Sequence, residues 1–372
     1  MTPNPAKPHR LLVVLPSWVG DAVMATPALR RIRDALPGAF IGALARPGID
    51  QVIGGSDFFD EVHVERSSGV LGPKFVAAKL RPRRYDTALL LTNSFSTALI
   101  ARIAGIPRRI GYDRDARRLL LTDPVPTSRT SRGRFAILPA VNAYWTLAGV
   151  IAGDEQTAPA PDQALSNTHA PLILPPGVLM ELAPTEREQA DSDRMLASAG
   201  VGADEPIGIL NPGGNNPAKR WPADRFGAIA DHLAAEHGLR VLINTAPAEI
   251  DIARTIIDSA STAPIALADH DSTLGALKPL CARASIMVTN DTGPRHIAVA
   301  MGAPVVSLFG PTDPRWTTVP VRPLTSGRPS EVVLVADPDL PADQSANDHP
   351  QRCAVDLITL ARVVGAVDLL LA

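Results

Sequence analysis

The stretch IGILNPGGNNPAKRWPADRFGAIADHLAAEHGLRVLIN, residues 207–244, carries the pattern that decides the fold. The apolar run at 207–210 predicts a buried strand, and the helical spacing of apolar side chains predicts a helix over 222–237. A second strand is predicted at 239–244. A strand, a helix and a strand in this order are typical of a parallel sheet covered by helices.

The same alternation continues on both sides of this stretch. On the N-terminal side we predict strands at 10–16, 39–45, 62–64 and 88–91, with helices at 21–36, 74–80 and 96–104. On the C-terminal side we predict strands at 265–267, 286–289 and 305–309, with helices at 248–259, 274–282 and 295–301. The proline-rich segment 153–185 separates the two series and predicts an interdomain linker.

The predicted fold is therefore α/β, with two Rossmann-like parallel-sheet domains facing a central cleft. The N-terminal domain covers residues 1–185, including the linker, and the C-terminal domain covers 186–350. The polar stretch 337–350 predicts a loop. The C-terminal segment 351–372 contains a predicted amphipathic helix at 354–371. This helix is expected to pack back across the junction between the two domains.

Composition excludes several classes of protein. The 372 residues are 45% hydrophobic and 20% charged, which allows a sizeable core. Two cysteines are too few for a disulfide framework or a zinc cluster, and 4% aromatic residues argue against stacking on single-stranded nucleic acid. Residues 1–10 do not resemble a signal peptide. The uncharged segment 135–153 contains polar side chains, so a buried or surface helix is favoured over a membrane span, and we expect a cytoplasmic protein.

Charge is distributed unevenly along the chain, although the net charge is only -2. Residues 1–150 contain 21 Lys and Arg against 11 Asp and Glu, and the remainder contains 15 against 27. The basic half could face nucleic acid, an anionic membrane or an anionic substrate. Nucleic acid is the weakest of these because no nucleic-acid-binding motif accompanies the charge.

Several motifs are missing from the sequence. It contains no G-x-G-x-x-G after the first strand, no P-loop, no G-x-S-x-G and no histidine pair with metal-ligand spacing. A nicotinamide dehydrogenase, a P-loop kinase and a zinc hydrolase are therefore disfavoured.

Two segments at predicted strand ends are candidates for catalysis and anion binding. PSWVGD, 16–21, follows the first strand, and Asp21 is there either a catalytic carboxylate or a helix cap. NPGGNNPAKRWP, 211–222, joins a strand to a helix; backbone amides around Gly213 and the charge of Lys219 favour an anion. The alternative for this segment is an ordinary exposed loop.

Two further segments predict a nucleotide site. TNDTGPRH, 289–296, follows a strand and opens a helix, so the amides at Thr292 and Gly293 could bind a diphosphate and Asp291 sugar hydroxyls. His296 is favoured as a ligand-binding residue over a structural one. Glu249 follows the strand at 241–244 and either binds a ribose or is a first-turn helix acid.

Taken in order, these segments resemble glycosyltransferase family 9, the ADP-heptose:lipopolysaccharide heptosyltransferases, and within it the heptosyltransferase II type. The matching residues are SWVGD at 17–21 with TPAL at 26–29, AKRWP at 218–222, and DTG at 291–293 with His296. Supporting matches are AGIPRRIGY at 104–112 and GPTDP at 310–314. The sequence departs from the family at 244–246, and at Arg295, where the family often has an apolar residue.

The resemblance implies a GT-B fold and an inverting transferase that needs no metal or other cofactor and uses ADP-heptose as donor. Asp21 would be the general base, and Lys219 with the Thr292–Gly293 amides would stabilise the departing diphosphate. Asp291 and His296 would position sugar and phosphate, and Glu249 the ribose.

The acceptor implied by the resemblance is an anionic lipopolysaccharide core at the cytoplasmic face of the inner membrane. Basic side chains of the N-terminal half are then candidates for binding it or the membrane surface, namely Arg81, Arg83, Arg84, Arg108, Arg109, Arg117 and Arg118. A solvated basic face is their alternative. A different nucleotide-sugar transferase, an epimerase and a catalytically silent nucleotide-binding protein are the alternatives for the whole chain.

Overall fold

The structure is a computed structural model that describes residues 7–66, 69–127, 136–154 and 168–372. The chain divides into two compact units. Unit 1 comprises Met1–Gln163 and Pro171–Val178, and unit 2 comprises Ala164–Ala170 and Leu179–Ala372. The predicted linker, 153–185, covers the points at which the chain passes from one unit to the other, and its residues 155–167 lie outside the described residues.

Unit 1 is built on a six-stranded parallel sheet with the order β3-β2-β1-β4-β5-β6. Its strands are β1 (Arg10–Val14), β2 (Phe40–Ala45), β3 (Glu61–Val64), β4 (Thr87–Leu90), β5 (Arg108–Tyr112) and β6 (Asp123–Val125). Its helices are α1 (Val19–Met24), α2 (Thr26–Ala35), α3 (Ile49–Ile53), α4 (Gly72–Leu80), α5 (Phe95–Ile103) and α6 (Ala140–Ala152). This strand order is that of dinucleotide-binding Rossmann folds, whose ligands bind where the order reverses, between β1 and β4 here.

Unit 2 repeats this topology with the order β12-β11-β10-β7-β8-β9, so its reversal lies between β7 and β10. Its strands are β7 (Ile207–Asn211), β8 (Arg240–Ile243), β9 (Ile265–Ala266), β10 (Ile286–Asn290), β11 (Val305–Phe309) and β12 (Glu331–Val335). Its helices are α7 (Glu186–Ser198), α8 (Ala223–His237), α9 (Ile250–Ser259), α10 (Leu277–Arg283), α11 (Gly293–Met301) and α12 (Leu360–Leu371). Strands β7, β10 and β11 are buried along their whole length, as expected for a sheet covered on both faces.

The α/β class and the predicted strands β1 to β4 and β7 to β11 are confirmed, whereas three strands were missed, helices α3 and α7 were not predicted, and one predicted helix is divided. The helix predicted at 21–36 is two helices, α1 and α2, that meet at Ala25, and Pro27 lies in the first turn of α2. Strands β5, β6 and β12 were not predicted. Strand β5 begins with two arginines, and β6 has only three residues including Pro124. Strand β12 contains the apolar run 332–335 but is only partly buried at the edge of its sheet.

The uncharged segment at 135–153 forms α6, which packs against α2. The Arg31 guanidinium lies 4.3 Å from the centroid of the Trp145 ring, and its Nη1 donates to the Trp145 carbonyl at 3.0 Å. Across the described ranges, the helices are too short or too polar to cross a bilayer. In unit 2, helix α12 packs against α8 and strands β10 to β12. Packing of α12 across the junction between the two domains stays a prediction.

Candidate active site

The turn after β1 places Asp21 at the point where the strand order of unit 1 reverses. Trp18 is the N-cap residue of α1 and Asp21 lies in the first turn, so Asp21 is not the capping residue considered from the sequence. Its side chain is half-buried. Because ligands of open α/β sheets bind beyond the carboxyl ends of the strands at this reversal, Asp21 lies where a substrate of unit 1 is expected.

A tyrosine that the sequence did not single out holds the Asp21 carboxylate. Tyr144, on α6, donates from Oη to Asp21 Oδ1 at 2.9 Å. Burial, together with the neighbouring Asp21 charge, raises the pKa of Tyr144 well above its ordinary value. The phenol therefore stays protonated and donates a charge-assisted hydrogen bond that orients the carboxylate.

Asp21 and Tyr144 line a cavity of about 340 Å³ within unit 1. The ends of β1, β2 and β4 and the start of α5 form its walls. Apart from Asp21 and Tyr144, its polar lining consists of a basic, an acidic and several hydroxyl or amide side chains, namely Ser17, Arg46, Glu65, Thr92, Asn93, Ser94, Ser96 and Thr97. A concave site with a few polar groups between apolar walls is typical of small-molecule binding.

Arg117, predicted to bind the acceptor or else to lie on a solvated basic face, is instead buried and donates to two residues that line this cavity, Thr92 and Asn93. The side chain is completely buried, and its Nη2 donates to Asn93 Oδ1 at 3.2 Å. Its other nitrogens donate to the carbonyl groups of Tyr112 and Thr92. Arg117 thus fixes the backbone that follows β4 instead of meeting an acceptor in solvent.

The other predicted acceptor-binding arginines lie elsewhere on unit 1, and the cavity lining does not include them. Most of them contact residues of their own unit. Three form ion pairs: Arg83 with Glu61 at 2.6 Å, Arg108 with Asp123 at 3.0 Å, and Arg118 with Asp113. Two donate to backbone carbonyls: Arg81 to that of Ile103 at 2.9 Å and Arg109 to that of Leu120 at 2.7 Å. Arg84 is exposed. Binding of an acceptor by Arg81, Arg83, Arg84, Arg108 and Arg109 stays a prediction.

In unit 2 the structure brings Lys219 and Asp291 together at the strand reversal. Lys219 Nζ lies 2.7 Å from Asp291 Oδ2, and Thr312 Oγ1 donates to the same oxygen at 2.9 Å. Burial opposes ionisation of Asp291, but the positive charges of Lys219 and Arg295 outweigh it and lower the pKa of the carboxyl. The ionised carboxylate therefore positions the Lys219 ammonium.

A buried polar network fixes the turn that leads into α11. Asn211 Nδ2 donates to Thr289 Oγ1 and to Thr292 Oγ1, each at 2.9 Å, and Asn244 Nδ2 donates to Asn211 Oδ1 at 2.7 Å. Thr292 is the N-cap residue of α11, yet its side chain makes no capping hydrogen bond. The amides of this helix start, including that of Gly293, are thus not capped by Thr292 and can donate to an anion.

Close packing between Gly213 and Glu249 shapes the loop after β7. A Cβ at Gly213 would lie only 2.3 Å from Glu249 Oε2, so a larger residue here would displace the Glu249 carboxylate. Glu249 Oε1 accepts from the Gly214 amide at 2.9 Å and from Arg220 Nη2 at 3.2 Å. The Glu249 carboxylate holds the loop in place in this structure, and its contact with a ribose stays a prediction.

His296 is buried at the start of α11 with an unused ring nitrogen. Its side chain is 3% exposed, and within the described part of the chain its Nδ1 has no hydrogen-bond partner. Burial, aided by the charge of Arg295, lowers the pKa of His296 to about 3, so the imidazole is neutral near pH 7. A buried polar atom without a hydrogen bond destabilises the fold by about 1–3 kcal/mol. A ligand that forms a hydrogen bond with this nitrogen would remove that cost.

Arg295, the departure noted within the diphosphate turn, points into unit 2. Its Nε donates to Glu331 Oε1 at 2.6 Å and its Nη2 to Glu331 Oε2 at 3.1 Å. Ser307 Oγ donates to Glu331 Oε1 at 2.6 Å as well. Both charged side chains are almost fully buried, so Arg295 joins α11 to β11 and β12 through an ion pair.

Comparison with known proteins identifies the family. A model of glycosyltransferase family 9 (heptosyltransferase) matches residues 75–328. The chain belongs to glycosyltransferase family 9. The resemblance to this family is thereby confirmed, and the matched residues include the motifs at 218–222 and 291–296.

Relatives of this family 9 member match it over most of their length. Lipopolysaccharide heptosyltransferase 2 of Escherichia coli K12 is 27% identical over 323 residues, which are 83% of this chain and 84% of that protein. Its counterpart in Salmonella typhimurium is 28% identical over 322 residues, 83% of this chain and 84% of that protein. The solved structure of E. coli ADP-heptose lps heptosyltransferase II has a TM-score of 0.75 at 24% identity, covering 97% of this chain and 98% of that one. This likeness confirms the GT-B fold class.

Proposed function

We propose that the protein is an inverting heptosyltransferase that moves a heptose from ADP-heptose to a lipopolysaccharide inner-core acceptor. The observation that carries the proposal is the anion site of unit 2, where Lys219 and the helix start at Gly293 lie at neighbouring strand ends. The names of the two relatives support transfer of a heptose to lipopolysaccharide, and the name of the similar E. coli structure supports ADP-heptose as the donor.

In the proposed reaction the acceptor hydroxyl bonds to the anomeric carbon of the heptose while the bond from that carbon to the diphosphate breaks. The electron pair of the broken bond leaves with ADP, and Asp21 takes the hydroxyl proton. One displacement inverts the configuration at this carbon, so no second carboxylate nucleophile is needed. Tyr144 keeps Asp21 oriented, and a base in this position contributes roughly 10²–10⁴-fold to the rate.

The charge of the leaving diphosphate is stabilised by groups already in place in unit 2. Lys219 supplies a fixed positive charge, and the Gly293 amide supplies a donor at the positive end of the α11 dipole. The neutral imidazole of His296 supplies a hydrogen-bonding nitrogen without adding charge. Because these groups supply the positive potential that a metal ion supplies elsewhere, we propose that transfer proceeds without one.

The test is thermal unfolding of the whole protein with ADP, UDP or GDP, each with and without magnesium, followed by an assay of ADP release from ADP-heptose with an inner-core acceptor. A nucleotide at about 100 times its Kd adds roughly 2.7 kcal/mol to the free energy of unfolding. We expect stabilisation by ADP that magnesium does not change, and acceptor-dependent ADP release. Preference for UDP or GDP would overturn the donor, and no response to any nucleotide would overturn the site.

We further propose that unit 1 contacts the anionic membrane surface through the start of α4. Val70, Leu71 and Phe75 are 97%, 59% and 63% exposed. Lys74 lies on the same short segment, as does Lys79, which pairs with Glu65. Apolar side chains flanked by lysines fit a leaflet of anionic lipids, to which each nearby basic residue contributes about 1 kcal/mol.

The double substitution Leu71→Ser with Phe75→Ser is expected to weaken binding to vesicles containing anionic lipid, measured by co-sedimentation. Neutral vesicles should bind the wild-type protein more weakly, and added salt should release it. Leu357→Ser is the control, because Leu357 is 51% exposed, lies in unit 2 and follows the acidic Asp356. Equal binding of the double variant and the wild type would contradict the proposed surface.

A further inference from the structure

A cluster of two histidines and a carboxylate lies at the C-terminal end of α8. His232 Nε2 lies 2.7 Å and His237 Nε2 lies 2.9 Å from the same oxygen, Asp368 Oδ1, on α12. The three potential ligand atoms all lie within 4.8 Å of one another. Both imidazoles are half-buried, with side chains 19% and 22% exposed, while Asp368 is 50% exposed. The cluster therefore opens to solvent on the side of the carboxylate.

The donor set of this cluster suits a divalent transition metal of the zinc type. Zinc is bound by imidazole nitrogens and carboxylate oxygens at about 2.0–2.2 Å in tetrahedral geometry, which sets neighbouring ligand atoms about 3.3 Å apart. The observed separations of 2.7 and 2.9 Å are hydrogen bonds, so the carboxylate has to withdraw by about half an ångström. Asp368 is the most exposed of the three side chains and has room to make this movement.

We propose that His232, His237 and Asp368 bind one Zn²⁺-like ion, with water as the fourth ligand, and that the ion joins α8 to α12. The site is separate from the anion site. Helix α8 begins at Ala223, just after the loop that carries Lys219, and His237 is its last residue, so the helix axis separates the two ends by about 21 Å. The ion is structural and takes no part in heptose transfer.

Sequence spacing did not reveal this site. The two histidines are five positions apart on one helix, and Asp368 follows His237 after 131 further positions. The packing of α12 against α8 brings the third ligand to the other two.

The proposal is tested first on the unmodified protein. After dialysis against a chelator, Zn²⁺ alone is added and the bound metal and the Tm are measured. We expect one bound ion per chain and a Tm higher by about 5 °C when Zn²⁺ is at roughly 100 times its Kd. Cobalt bound at the same site should show the visible absorption of tetrahedral Co²⁺. No bound metal and an unchanged Tm would overturn the proposal.

Substitutions then assign the ligands. His237→Gln and Asp368→Asn should each weaken Zn²⁺ binding by at least about 10-fold. His270→Gln is the matched control, because His270 is a half-buried histidine of unit 2 that also has a hydrogen-bonding neighbour, Ser198, at 3.0 Å. Full binding by both ligand variants, or a loss with His270→Gln, would overturn the assignment. If His237→Gln fails to fold by circular dichroism, Asp368→Asn still provides the test.

Discussion

Replacing Asp21 with asparagine is expected to reduce the rate of heptose transfer by roughly 10²–10⁴-fold. The amide has nearly the shape of the carboxylate and can still accept the hydrogen bond that Tyr144 donates at 2.9 Å. It cannot take a proton from the acceptor hydroxyl. The loss should therefore appear in kcat, measured as acceptor-dependent release of ADP.

The matched controls separate catalysis from binding. Asp21 lies in unit 1 and Lys219 in unit 2, so Asp21→Asn should leave the Kd of ADP unchanged, whereas Lys219→Ala should raise it. Tyr144→Phe keeps the base but removes the donor that orients it, and its rate should lie between those of Asp21→Asn and the wild type. An Asp21→Asn protein with the wild-type rate would remove Asp21 from the mechanism.

Replacing Glu331 with leucine is expected to lower the free energy of unfolding by about 3–5 kcal/mol, because Arg295 would remain as a buried charge without its partner. The pair is almost fully buried, and Arg295 Nε lies 2.6 Å from Glu331 Oε1. Denaturation in urea measures the loss. Replacing both residues, as Arg295→Met with Glu331→Leu, should recover most of it, because no unpaired charge then remains.

The pH dependence of this pair has a definite sign. Burial opposes ionisation of Glu331, but the charge and hydrogen bonds of Arg295 outweigh it and hold the pKa of the carboxyl below its ordinary value. The stabilisation is therefore present above the ordinary carboxyl pKa and is lost as the pH falls through the lowered value of the folded state.

The control for Glu331→Leu is Asp269→Asn, which removes the exposed ion pair with Arg254 and should lower the free energy of unfolding by at most about 1 kcal/mol. Equal losses of unfolding free energy for Glu331→Leu and Asp269→Asn would show that the buried pair contributes no more than the exposed one.

The fold could be predicted because parallel strands covered on both faces have a distinct composition. Strands β1, β7, β10 and β11 are mostly apolar and buried, and helical periodicity follows the first three of them. Three strands lack one part of this pattern: β5 begins with two arginines, β6 has only three residues and β12 is only partly buried. Their pairing with β4, β5 and β11 defines them.

The sequence by itself determined the α/β class, the two domain-sized series of elements and the placement of Asp21, Lys219 and Asp291 at strand ends. These features depend on local order along the chain, which the sequence displays directly. The tertiary structure alone decided which side chains meet: Tyr144 contacts Asp21 across 123 positions, Asp291 binds Lys219 across 72, and Arg295 turns inward to Glu331 across 36. Such contacts are set by the packing of strands and helices far apart in sequence, and the periodicity of any single segment does not report it.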